Sequence, residues 1–398
     1  MENNGLQQRI GTTAFAFRGY NVTNLGKTPE LLEHPKYGPV VERYLGEASR
    51  IASNVLGRRI NLIRRVRRRQ ETSLRTYGQA IAMVMAAELA QLELLEDLFG
   101  VKYADAQLAC GYSLGEVSAL TASGVYSMEA CLNILLPLAD DSADLAKKVT
   151  MGIVFSRGPA LDCTAIERLC LEITKEGHGT LGISSFLSPN SLLILGQGKT
   201  IDKFKKQIKD VVAQKVHVRK NPHRWPPFHT AIVRQKYISN RAAVMLETAD
   251  GGFTVPQPPV LSCVTGDMGY DELNSREILN RWVDSPQHLW EVIDKMLRLG
   301  VETVIHVGPE PNIIPATLTR LSIDVSAQLS GKSLSSLGLR AVSRIVRNRP
   351  WLTSMISSDA TLLRAPFVEQ ITLEDWLLDH EVPEQETEPD TQPEPEAA

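Results

Sequence analysis

Nowhere does the chain run apolar for the roughly 18 residues that a membrane-spanning helix needs, and Met1–Gly11 is polar where a secretory signal would be apolar. The expectation is a protein without a transmembrane segment, resident in the cytoplasm. Cysteine is sparse. The five residues Cys110, Cys131, Cys163, Cys170 and Cys263 have no metal-type spacing, and an odd, scattered set suits buried thiols in a reducing compartment. Internal repeats are lacking too. So is any strong charge of one sign: the formal net charge is -3, and the seven acidic residues of Glu381–Ala398 stand against no basic ones, which leaves +4 for the rest. A mildly basic body suits an acidic or anionic partner but is too weak to argue for nucleic acid.

What the chain does have is apolar content of 43% over 398 residues, enough for a large core in one big domain with an insert, or in two domains. Thr12–Phe17 reads as a first strand, followed by the loop Arg18–Asn21 and a largely helical stretch to Leu98. Strand Ala106–Cys110 leads into a turn at Gly111–Gly115 and a helix over Glu116–Ser123, closed by Gly124. From Met151 to Asn221 the order is βαββαβ, that of a ferredoxin-like unit. Alternating strands and helices then resume through Pro259–Thr265, Pro286–Leu299 and Thr303–Val307, as in a mainly parallel sheet.

The predicted fold is therefore α/β, a hydrolase-like parallel core over 1–150 and 222–328 with an inserted ferredoxin-like subdomain over 151–221. Residues 329–379 form a partly helical extension. Within it Arg340, Arg344 and Arg347 share one face at helical spacing, most simply a solvated face. The same reading covers the run Arg64, Arg65, Arg67, Arg68 and Arg69. From His380 to Ala398 the Pro/Glu/Thr/Gln composition has little to bury and is expected to be disordered.

The chemistry concentrates in Gly111-Tyr112-Ser113-Leu114-Gly115, a G-x-S-x-G between an apolar strand and a helix. That context makes Ser113 a candidate nucleophile on a sharp turn, with the Leu114 amide at a helix N-terminus able to meet a developing oxyanion. Cys110, three residues earlier, reads as a core thiol. A serine of this kind needs a base. His229, in Pro226-Pro227-Phe228-His229-Thr230 just after the insert, is the best placed. His34, His178, His223 and His380 sit in polar loop-like contexts, His288 in a helix, and His217 and His306 in strands.

With these residues in hand, the sequence resembles the malonyl-CoA:acyl carrier protein transacylases. GYSLGE followed by Val117-Ser118-Ala119-Leu120 and Ser123-Gly124-Val125 is similar to their GHSxGE elbow. Phe15-Ala16-Phe17-Arg18-Gly19-Tyr20-Asn21 resembles their first-strand motif ending FPGQG, PFHT their histidine segment, and Val307-Gly308-Pro309 their VGPG loop. The resemblance covers roughly Thr12–Val325. It implies an S-acyltransferase of fatty-acid or polyketide-type biosynthesis with no bound cofactor and no metal, whose substrates are acyl-CoA and a phosphopantetheine-carrying acyl carrier protein. It also implies that Ser113 and His229 are catalytic, that the backbone amides of Leu114 and Tyr20 form the oxyanion hole, and that a carbonyl of the loop Arg281–Pro286, assigned to Trp282, orients the histidine. Phe228 and Tyr112 fall at the substrate pocket.

The departures bear on the substrate. Malonyl-specific members grip the free carboxylate with an arginine twenty-five positions after the serine, where this chain has Leu138. Tyr112 stands for the elbow histidine and Tyr20 for the glutamine. A malonyl carboxylate left unpaired here would cost several kcal/mol, so the expected acyl group lacks one. Arg18, in place of the motif's proline, is the one residue that could supply a substitute charge. Two further readings stay open: a serine-dependent thioesterase, told apart by its free-acid product, and a non-catalytic carrier-binding scaffold.

Overall fold

A computed structural model describes residues 4–157, 159–333, 352, 355 and 360–383. The basic segment 339–349 and most of the acidic tail lie outside the described residues.

Ten strands are formed among the described residues: Thr13–Phe17 (β1), Leu108–Gly111 (β2), Val149–Ser156 (β3), Leu181–Ser188 (β4), Ser191–Gln197 (β5), Val216–Lys220 (β6), Val260–Ser262 (β7), Asp267–Met268 (β8), Thr303–Val307 (β9) and Glu369–Thr372 (β10). All five residues of β1 are apolar or small and all are buried, the pattern of a strand covered on both faces of a parallel sheet. It sits inside a six-stranded sheet of order β10-β9-β1-β2-β7-β8. Every pairing there is parallel except the β7–β8 hairpin. The edge strand β10 comes from the segment read as an extension, so the main sheet recruits residues well past 328.

Between β2 and β7 the chain builds a second, antiparallel sheet of order β4-β5-β3-β6, with the helices Cys163–Lys175 and Thr200–Val211 as its crossovers. This is the ferredoxin-like arrangement, and the alternating burial of β3 shows a sheet with two unlike faces. One face packs Val154, Leu192 and Ile194 against the helices. The other turns Met151, Ile153, Leu193 and Leu195 toward the serine.

The helix Tyr77–Phe99 is the most apolar long helix among the described residues. The span Leu74–Phe99 is long and apolar enough to cross a bilayer by length and composition, although Gln79, Glu88 and Gln91 break its apolar run. In the fold 83% of its most apolar window is buried, as the central helix of the core. The arginine run is engaged within the chain: Arg67 pairs with Glu42, Arg69 with Glu30 and Glu33, and Arg65 donates to Gln79 Oε1 and to the carbonyls of Gln70 and Glu71.

Candidate active site

Ser113 follows β2 after one intervening residue, Tyr112, and caps the helix Leu114–Ala122, which starts two residues earlier than the sequence pattern suggests. The strain of the turn sits on the serine itself, at φ 56° and ψ -118°. Its flanking glycines serve a different need. A Cβ on Gly111 would come within 2.0 Å of the Gly115 carbonyl carbon, and one on Gly115 within 2.3 Å of the Phe17 carbonyl oxygen. Gly111→Ala should therefore destabilise the fold by about 3 kcal/mol or more, because backbone rather than a flexible side chain would have to yield. A thermal or urea midpoint indistinguishable from the parent would refute this reading of the turn.

The serine hydroxyl meets His229, with Ser113 Oγ and His229 Nε2 2.7 Å apart. On the far side of the ring, Nδ1 lies 2.8 Å from the Trp282 carbonyl oxygen. A carbonyl only accepts, so Nδ1 carries the proton and the Nε2 lone pair faces Ser113 Oγ. Trp282 acts at both ends, since its indole Nε1 donates to the Ser113 carbonyl at 3.0 Å. The His229 amide is held by the Val283 carbonyl at 2.9 Å, which fixes a residue whose φ is also positive, 64°.

Burial pushes the His229 pKa down to about 4, partly offset by its bond to the Trp282 carbonyl. The imidazole is thus neutral, the form a general base needs, far below its ordinary range. The acid limb of kcat/KM should fall at pH about 4, with no loss between pH 5 and 7. A pH–rate profile with its limb near 6.5 would contradict this.

Serine and histidine close one end of a cavity of 340 Å³. Tyr20, Tyr77, Tyr112, Trp225, Phe228, Ile153 and Leu187 make its walls largely apolar, with Asn21, Asn221 and Asn312 as polar points. Among the described residues no lysine or arginine lines it. Asn312 Nδ2 is buried and has no protein partner among the described residues. The Tyr20 ring packs edge-on against Tyr77 at 4.8 Å. Neither the Tyr20 nor the Leu114 amide has a protein acceptor among the described residues.

Two of the residues singled out from sequence lie away from this cavity. Arg18 is fully buried and points into the protein, where its guanidinium donates to the carbonyls of Gly19 (2.7 Å), Pro309 (2.6 Å) and Thr23 (3.3 Å) and to Asn24 Oδ1 (2.9 Å). With four of its donors so engaged it has no fork left for a substrate carboxylate. Leu138 is buried too, but it lines a separate apolar pocket of only 20 Å³ with Val117, Ile134, Leu246 and Trp282. Pattern reading missed Gln287. It is fully buried, and its Oε1 accepts the Ser113 amide at 3.2 Å. Nothing local marks it, since the contact spans 174 residues. Burial raises the Cys110 thiol to about 12, and its sulfur packs 3.8 Å from that of Met296. Glu116, the last residue of the elbow motif, is fully buried in the first turn of the helix and accepts the Tyr270 hydroxyl at 2.6 Å.

No family model matches the chain. It is 24% identical over 201 residues to the malonyl CoA-acyl carrier protein transacylase of Bacillus subtilis strain 168, covering 50% of this chain and 60% of that protein. The chain thus spans less than two thirds of the curated relatives it matches. Among solved structures it is similar to the malonyl-CoA:acyl carrier protein transacylase of Xanthomonas oryzae pv. oryzae, with TM-score 0.61, 21% identity, and coverage of 78% of this chain and 91% of that one. It is also similar to a malonyl-transacylase solved in complex with a type II polyketide acyl-carrier protein, with TM-score 0.60, 24% identity, and coverage of 77% and 91%. The fold, a parallel α/β core with a ferredoxin-like subdomain between serine and histidine, is that of the malonyl-CoA:acyl carrier protein transacylases.

Proposed function

We propose that the protein is an acyltransferase that takes an acyl group from coenzyme A onto Ser113 and hands it to the pantetheine thiol of an acyl carrier protein in fatty-acid or polyketide-type synthesis. The observation that carries this reading is the relay of Ser113 Oγ, the His229 ring and the Trp282 carbonyl, with steps of 2.7 and 2.8 Å. His229 Nε2 removes the hydroxyl proton as Oγ attacks the thioester carbon. The amides of Leu114 and Tyr20 hold the oxyanion. Collapse breaks the carbon–sulfur bond, and the imidazolium returns its proton to the departing thiol. The carrier's thiol then repeats the sequence in reverse, losing its proton to His229 and taking the acyl group.

The reaction needs no bound cofactor. Both partners carry pantetheine, and the cavity's asparagines, Asn312 in particular, suit its amides. The lack of a cation among the lining residues favours an acyl group without a second carboxylate, with Tyr112 and Phe228 beside it. A cytoplasmic setting belongs to the same proposal.

Intact-mass analysis after incubation with a panel of acyl-CoAs tests it, beside Ser113→Ala. The reading requires a mass gain equal to one acyl group, absent from the alanine variant. No Ser113-dependent gain and no thioester cleavage with any donor would leave a non-catalytic, carrier-binding protein. Cleavage to free acid in the presence of carrier would make it a thioesterase.

A further inference from the structure

The buried Arg18 has no place in the reaction above, yet it touches the loop that does. Its Nε donates to the carbonyl of Gly19 at 2.7 Å. That carbonyl belongs to the same peptide unit as the Tyr20 amide, and in a planar trans peptide the C=O and N–H point in opposite directions. Whatever fixes the Gly19 oxygen therefore aims the Tyr20 hydrogen. The peptide lies against the nucleophile turn: a Cβ on Gly19 would come within 2.5 Å of the Tyr112 carbonyl oxygen and 3.3 Å of Ser113 Cβ.

The rest of the guanidinium ties this loop to other parts of the fold. Nη1 donates to the Pro309 carbonyl, on the loop after β9, and Nη2 to Asn24 Oδ1. Asn24 is itself fixed, donating to the Asn21 carbonyl at 2.7 Å and to Thr72 Oγ1 at 2.9 Å. A second buried group braces the same two loops, since Glu374 accepts the amides of Lys27 and Glu310, each at 2.9 Å. Burying a guanidinium is costly, and Glu88, Glu374, Glu310 and Glu71 offset part of that cost by their charge.

We infer that Arg18 is a positioning residue that locks the Gly19–Tyr20 peptide with its N–H turned toward Ser113, so that the oxyanion hole is formed before substrate arrives. This rests on the acyltransferase reading of Ser113. A hole held ready in this way costs no reorganisation during the reaction. A flipped Gly19–Tyr20 peptide would present a carbonyl to the oxyanion instead and abolish the advantage.

Arg18→Lys keeps the charge but loses the Nε bond and the fork. The expected result is a kcat lower by about 100- to 1,000-fold with KM for acyl-CoA within about threefold of the parent. Affinity for an alkyl boronic acid, which forms a tetrahedral adduct on Ser113 Oγ with a hydroxyl in the oxyanion position, should fall in the same proportion, and that for free coenzyme A should not. A folded Arg18→Lys protein with kcat within about threefold of the parent would overturn the inference. Should that variant fail to fold, the parent protein decides: with ¹⁵N label, the Tyr20 and Leu114 amide resonances should both move when the boronate binds. A shifted Leu114 with Tyr20 unmoved would overturn the role of Arg18 and leave the acyltransferase reading intact. No adduct at Ser113 would overturn both.

Discussion

Ser113→Ala should lower acyl transfer by about 10⁴- to 10⁶-fold while leaving the thermal midpoint almost unchanged, and His229→Ala should cost nearly as much. In the proposed reaction the serine supplies the atom that forms the ester, which alanine cannot do. In the same reaction His229 supplies the lone pair directed at that atom, through a tautomer fixed by the Trp282 carbonyl. Because the two act as one unit, the double variant should be no slower than the worse single one. Steady-state transfer rates for the three variants check this. A double variant slower by the product of the single effects would mean that the residues act independently, contrary to the 2.7 Å contact.

The second large effect concerns charge. A monocarboxylic donor such as propionyl-CoA should acylate Ser113 about 100-fold faster than malonyl-CoA, the ratio that roughly 2.7 kcal/mol of unpaired carboxylate would produce. Replacing Leu138 by arginine should not reverse that preference. Leu138 lines an apolar pocket of 20 Å³, too small for a guanidinium and with no carboxylate among the described residues lining it. Leu138→Arg should therefore lose about 3 kcal/mol or more of stability and gain no malonyl activity. Equal labelling by malonyl-CoA and propionyl-CoA in the parent would contradict the charge argument. A stable Leu138→Arg protein that prefers malonyl-CoA would contradict the placement of Leu138 outside the catalytic cavity.

Much of this site is written in short segments. The elbow needs only Gly111, Ser113 and Gly115 between a strand and a helix, and close backbone approach explains why both flanking residues are glycine. His229 is legible because the strand and helix pattern returns to the main sheet just there. The loop bearing Trp282 follows from family order, but not the indole's own bond to the Ser113 carbonyl.

What a pattern cannot give is direction and long-range partnership. Arg18 follows a strand of alternating faces and could turn either way; of the carbonyls that claim it, those of Gly19 and Thr23 are local, but that of Pro309 lies 291 residues later. Leu138 keeps the expected position on its helix, yet it lines a small apolar pocket separate from the catalytic cavity. Strand β10 joins the main sheet through β9, about 66 residues earlier in the chain, with no turn signal to announce the pairing. The helix Tyr77–Phe99 shows the converse. Its composition alone suits a bilayer, and only the packing around it makes it a core helix.

The central claim, that Ser113 carries an acyl group between two pantetheine thiols, is tested most directly by a chase. The enzyme is acylated with propionyl-CoA, freed of donor, and mixed with a pantetheine-loaded acyl carrier protein while intact masses of both proteins are followed. The acyl mass should leave Ser113 and appear on the carrier in equal amount, with little free propionate. An enzyme that never gains the mass, or that loses it only to water, would contradict the account.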